Sequence, residues 1–234
     1  MLPYYMYGGN STTLYALLIA VLVLGVAAQA ALSRAFKRYS QVLARSRVSA
    51  ADMARNMLRS AGSTVSVSEV SGSLTDHFNP KTGVVGLSGS VYPSASIAAL
   101  AVAAHEVGHV MQHEEDYVPI KLRNAILPVA NLASQASPFI VLAGALLGMF
   151  ELAMVGVYLF LGMLAFQLVT LPVELNASRR AVRMLTEGGY IDTQERAGAR
   201  RVLNAAAMTY VVAALSTVVS LLRLVLMAQN SRRR

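Results

Sequence analysis

From Pro138 to Val173 the chain runs for about 36 residues with Glu151 as its only charged side chain. Roughly 20 apolar residues cross a bilayer as a helix, so this stretch is too long for one crossing. It reads as two helices that meet near Gly148-Met149-Phe150-Glu151, the first of them beginning earlier, near Asn124, and including Pro128. Two more stretches have the same character: Leu14 to Leu32, without a charge, and Ala205 to Leu222, ending at Arg223. Backbone polar groups in hydrocarbon must be satisfied internally, which confines such segments to helix. With 55% hydrophobic residues, 14% charged residues and a mean hydropathy of +0.51, the chain is too apolar for an ordinary soluble domain of 234 residues.

The charges give these segments a direction. Leu14 to Leu32 lacks the basic leader of a signal peptide and is followed by Arg34, Lys37 and Arg38, a stop-transfer flank, so it is expected to be retained as an anchor. Basic residues gather beside apolar segments: Arg34 to Arg47 after the first, and Arg179, Arg180 and Arg183 after the third. That is the positive-inside pattern, and it places both groups on the cytoplasmic side. The net charge of +8 is therefore assigned to anionic headgroups rather than to nucleic acid. The tail Ser231 to Arg234 conflicts with the rule if the last segment crosses fully. Tyr4, Tyr5, Tyr7 and Tyr15 suit the membrane interface.

Between the apolar segments lies a smaller polar part, residues 35–122 with 174–203. Arg34 to Ser60 is basic and amphipathic and reads as helix. Ser63 to Ser71 alternates valine with polar residues and reads as a strand. Leu74 to Pro80 is rich in turn residues, and Val84 to Ser88 reads as a second strand. Ser94 or Ser96 then caps a helix that runs to about His113. The expected fold is mainly α and integral to a membrane. It has about four membrane helices and a small α+β region with a short β-sheet. The expected divisions are residues 1–33, 34–122, 123–173, 174–203 and 204–234.

That last helix carries His105-Glu106-Val107-Gly108-His109. Positions i and i+4 share a helix face, so the two imidazoles can hold one zinc ion, and Glu106 can take a proton from water that the ion acidifies. Such a site hydrolyses peptide bonds. Against chance stand three facts: two of only four histidines fall in the motif, Gly108 leaves room for another segment, and unpartnered polar groups on so apolar a helix would be costly. The chain has no cysteine, so the ligands must be histidine and carboxylate, as in a catalytic site.

A catalytic zinc takes three protein ligands and an open position. His113 continues the same face, but two helical turns place it roughly 12 Å from His105. The longer HExxHxxGxxH pattern fails at Gln112 and Glu115. His77 and Glu174 remain. Glu174 follows the third apolar segment, and the small Ala177 and Ser178 beside it would allow close packing on the motif helix. The alternative is that Glu174 is only a carboxylate at a helix start. His77, Arg179 and Tyr210 are candidate donors to a developing oxyanion. The strand Val84, Val85, Gly86, Leu87, Ser88 is either a core strand or an open edge to which an extended peptide adds.

The segments Asp76–Ser88, Val91–His113 and Leu171–Ala181 together resemble the YugP-type neutral zinc metallopeptidases of bacterial membranes. The resemblance covers about Tyr39 to Leu226. It implies a zincin-like catalytic region of the gluzincin kind, with one zinc per chain, a protein or peptide substrate, and a place in the bacterial cytoplasmic membrane. His105 and His109 match the zinc histidines, Glu106 the catalytic glutamate and Glu174 the third ligand. Gluzincins often carry an aspartate four residues after that glutamate, where this chain has Ser178. The partner that orients a zinc histidine is therefore left among Asn176, Ser178 and Asp76. Two other functions are weighed. A site-2-type protease would need an Asp-Gly pair in a late membrane helix, where this chain offers only Asp192-Thr193. A non-catalytic scaffold with a vestigial site would not need Glu106.

Overall fold

The computed structural model describes the backbone of residues 3–231 and the side chains of residues 12–229. The expectations on Tyr4, Tyr5, Tyr7 and the basic tail fall outside the described side chains. Six helices and three strands follow in the order α1 (Pro3–Ser40), α2 (Ala50–Ser60), β1 (Ser66–Val70), β2 (His77–Asn79), β3 (Val84–Ser88), α3 (Ile97–Glu114), α4 (Val118–Leu146), α5 (Phe150–Glu187) and α6 (Glu195–Ser231). Contacts divide them into two compact units. One comprises residues 1–28, 122–171 and 209–234, and the other residues 29–121 and 172–208.

The first unit is built from the apolar parts of α1, α4, α5 and α6, each long and apolar enough to cross a membrane. At most a third of each apolar window is buried, so most of these side chains point outward, as Phe139 (73% exposed) and Leu22 (67%) do. That pattern is wrong for water and right for lipid. The expected break at Gly148 is present: α4 ends at Leu146, and Gly148 takes φ 69°, a conformation that glycine adopts without cost. Small residues then bring α4 and α5 together. A Cβ on Gly144 would lie 2.4 Å from the Ala153 nitrogen, and Ser137 Oγ donates to the Gly156 carbonyl at 2.7 Å.

In the second unit the sheet has the order β1-β3-β2. β3 pairs parallel with β1 along its length and antiparallel with β2 over Val84–Gly86. This corrects the expectation that Val84 to Ser88 offers an open edge: β3 is the central strand. Beyond β2, Asp76 completes its second side, accepting from the Ser88 backbone at 2.8 Å and from Ser88 Oγ at 3.1 Å. The buried Val85 and Leu87 join a core with Met53 and Leu58 of α2 and Leu100, Ala104 and Val107 of α3.

Two other expectations are corrected. Arg34 to Ser60 is not one helix. Residues 41–49 leave helical geometry and bond to the segment before α3 instead: Ala44 N to Ala95 O at 2.9 Å, Ile97 N to Val42 O at 2.9 Å, and Ala50 N to Ser94 O at 2.8 Å. Ser49 then restarts the chain as the N-cap of α2. The segment around Leu74–Pro80, expected to be turn only, contains β2. At its other end the motif helix starts as expected, with Ser96 Oγ accepting from Ala99 N.

Ser88 is fully buried, so Asp76→Ala leaves its N–H and hydroxyl short of an acceptor. The expected cost is about 1–3 kcal/mol, seen as a lower unfolding midpoint in detergent. An unchanged midpoint would show that Asp76 does not hold β3.

Candidate metal centre

Helix α3 presents His105 and His109 on one face. Helix α5 presents Glu174 opposite them, and α5 comes close because Gly108 lies between the histidines. A Cβ there would stand 2.9 Å from the Ala177 carbonyl oxygen of α5, closer than real Cβ contacts come. Glu174 is not at a helix start: α5 runs unbroken through Pro172 and past Glu174. The reading of this residue as a carboxylate placed only for the helix dipole therefore falls.

The two Nε2 atoms lie 3.2 Å apart. Glu174 Oε2 is 3.2 Å from His105 Nε2, and Oε1 is 3.7 Å from His109 Nε2. Donor atoms bonded to tetrahedral zinc at about 2.0–2.1 Å stand roughly 3.3 Å from one another, so the spacing suits that ion. Among the described residues this is the one group of three His, Asp or Glu side chains placed to hold a metal. Burial disfavours a charge on His109, but the hydrogen bond to Glu174 and the charges of Glu106 and Glu174 outweigh it and raise its pKa above the usual value. The same negative field favours a cation between the imidazoles.

Each imidazole is held from behind. Gln112, fully buried, donates through Nε2 to the Val173 carbonyl and to Asn176 Oδ1, both at 2.9 Å. Its Oε1 is thereby turned toward His109 Nδ1, 3.0 Å away, and the Nδ1 proton is donated to it. That leaves the Nε2 lone pair for a metal. The chain of bonds continues outward: Arg180 Nε donates to Asn176 Oδ1 at 2.8 Å and Arg180 Nη1 to Glu115 Oε1 at 2.7 Å, which lowers the Glu115 pKa. On the other side Ser178 Oγ lies 3.2 Å from His105 Nδ1. Of the orienting candidates, Ser178 touches a histidine, Asn176 acts through Gln112, and Asp76 is engaged with Ser88 in the sheet.

Sequence reasoning missed Gln112. It had noted the residue only as a departure from the longer motif. Its signal was present nonetheless, since an amide three residues after His109 shares that histidine's face of an apolar helix. Glu106 is nearly buried and has no hydrogen-bond partner among the described residues. The remaining candidates lie elsewhere. His77 sits in β2 with Nδ1 2.9 Å from the Thr75 carbonyl, and His113 packs edge-on against Phe78. Arg179 Nε donates to the Leu175 carbonyl. Tyr210 belongs to the other compact unit. Asp192, the one late aspartate a site-2-type protease could use, instead caps α6 by accepting from Gln194 N and Glu195 N.

Glu174→Ala removes one of three donors, and the purified protein is expected to lose its zinc, measured by elemental analysis. Gln112→Leu keeps all three donors but frees the His109 ring. Zinc affinity is expected to fall about 10–100-fold, and affinity equal to wild type in a competition titration would show that Gln112 only fills space.

The comparisons with known proteins agree with this geometry. Residues 14–229 match the family described as "Putative neutral zinc metallopeptidase". The chain is 46% identical over 217 residues to the "Putative membrane protease YugP" of Bacillus subtilis (strain 168), an alignment that covers 92% of this chain and 96% of that protein. No solved structure matches it. With nearly its whole length matched and a His-His-Glu cluster placed for the ion, the chain belongs to the neutral zinc metallopeptidase family.

Proposed function

We propose that this chain is a membrane-embedded zinc metalloendopeptidase that cleaves protein or peptide substrates. In this reading His105, His109 and Glu174 hold one zinc ion, and Glu106 is the general base. The observation that carries it is the free carboxylate of Glu106, held next to a cluster whose three donors already face one point. A structural metal site has no use for such a group, whereas a hydrolytic one needs it.

The bound ion would supply Lewis acidity, polarising the scissile carbonyl and acidifying a water molecule. The remaining work belongs to the chain. Glu106 takes the proton from that water as it attacks and delivers it to the leaving amine. Glu106 starts as a base and ends as an acid, so it must carry no permanent partner. Gln112 and Ser178 hold the two imidazoles in the tautomer that leaves Nε2 unprotonated. Glu174, bound to the ion, offsets part of its charge.

The side of the membrane follows from the charges. Arg34, Lys37 and Arg38 close α1, and Arg179, Arg180 and Arg183 lie on α5 just beyond its apolar part. By the positive-inside rule both belong in the cytoplasm, so the metal centre is assigned to the cytoplasmic face of the bacterial inner membrane.

Glu106→Gln is expected to keep one zinc per chain while hydrolysis of casein or a fluorogenic peptide falls about 10²–10⁴-fold. Turnover at the wild-type level would sink the peptidase reading and leave a scaffold with a metal site.

A further inference from the structure

Helices α5 and α6 enclose a groove of about 820 Å³ within the second unit. Four arginines line it: Arg179 and Arg183 from α5, Arg196 and Arg200 from α6. Glu187 is the one carboxylate on its wall, so the groove carries an excess of three positive charges. None of the four arginines makes an ion pair among the described residues, in contrast to Arg180, which is bound to Glu115. Arg196 Nε is buried with no partner at all. A guanidinium nitrogen taken from water without an acceptor is costly, which applies to Arg196; the exposed Arg179, Arg183 and Arg200 add their charge around the same space, and the four together mark a place for an anion.

The position of the arginines along their helices identifies the anion. The apolar run of α5 ends at Val173, and Arg179 and Arg183 follow it by about 9 and 15 Å at 1.5 Å per residue. The apolar run of α6 begins at Ala205, and Arg200 and Arg196 precede it by about 8 and 14 Å. The two helices therefore present arginines in two matched tiers, Arg179 with Arg200 near the headgroup layer and Arg183 with Arg196 roughly one to two turns beyond it. The headgroup layer is roughly 5–8 Å deep, and an arginine side chain reaches several ångströms back toward it. Beside the arginines the groove exposes Leu175 and Asn204, with Leu203 buried beneath them. Arginine binds phosphate bidentately.

We propose that this groove binds the phosphodiester headgroup of an anionic phospholipid, with the start of its acyl chains against the exposed Leu175. It is not the substrate cleft. Ser178 lines the groove, and its hydroxyl lies on the Nδ1 side of His105, whereas the metal donors face Glu174 through Nε2. The occupant stands behind the metal site, next to a residue that orients a ligand. The inference rests on the membrane reading and not on peptidase activity.

The test uses the full chain, purified in a neutral detergent and titrated separately with phosphatidylglycerol, phosphatidylcholine and inorganic phosphate. The readouts are thermal unfolding and native mass spectrometry. Phosphatidylglycerol is expected to raise the unfolding temperature and to stay bound, at least about tenfold more tightly than phosphatidylcholine. Arg183 and Arg200 are both exposed, so Arg183→Gln/Arg200→Gln should fold and retain zinc. It should weaken phosphatidylglycerol binding about 25-fold, fivefold for each charge removed. Arg34→Gln/Lys37→Gln, outside the groove, should leave the tight binding in place. Equal affinity for the two lipids, or a groove variant that binds as wild type does, would overturn the proposal. Full stabilisation by inorganic phosphate alone would also overturn it, showing a site for the free ion, and displacement of the lipid by polyglutamate with tighter binding would show a site for acidic peptides.

Discussion

The three side chains placed to hold a metal depend on one close approach between two helices. His105 and His109 come from α3, Glu174 comes from α5, and the carbonyl of Ala177 sits where any side chain at position 108 would put its Cβ. A methyl group there would push α5 back by a distance that zinc coordination does not tolerate, since its bonds vary by only about 0.2 Å. The same approach brings Gln112 to the Val173 carbonyl and to Asn176, and Ser178 to His105. The ligand set and the groups that orient it are thus two results of one backbone contact. One apolar core, which takes in α2, the sheet and α3 together with Ala181, Val182 and Leu185 of α5, holds both sides of that contact in place.

Where sequence spoke clearly, it spoke through local chemistry. HEVGH declares its own geometry, because helical spacing places the two imidazoles. Ser94 and Ser96 announce the start of its helix, and the apolar run from Asn124 to Val173, with Gly148 near its middle and Glu151 its only charge, announces two helices and the turn between them. The failures have different causes. Residues 41–49 have a helical composition but bond with residues 92–97, a pairing that no local window contains. The central place of β3 depends on β2, a strand of three residues drawn from Asp, His, Asn and Pro-rich sequence that reads as turn. The helix through Pro172 was masked by proline, which removes a helical hydrogen bond and usually marks a boundary.

The site itself was legible in its donors and not in their support. His105 and His109 could be named because metal chemistry restricts the residue types to a few, whereas Glu174 stands beside His77 until the family resemblance favours it. The groups behind them have no such restriction: an amide, a hydroxyl or a carboxylate can each fix an imidazole. This chain uses Gln112 for one histidine and Ser178 for the other. An aspartate beside a zinc ligand adds a negative charge, while these neutral groups do not. Glu174 and Glu106 are the carboxylates whose charge acts on His109.

Helix α5 continues without a break from its apolar segment through Glu174, and this has a consequence for how such a chain can change length. Each residue turns an α-helix by about 100°. A single insertion between Gly156 and Leu171 would leave the hydrogen-bonding pattern of α5 intact. It would nevertheless rotate Gly156, the residue packed on Val141 of α4, by that angle relative to Glu174. Only changes close to whole numbers of turns, such as seven residues, would keep both faces in phase. The span of α5 is therefore expected to vary among functional chains in steps of turns rather than of residues.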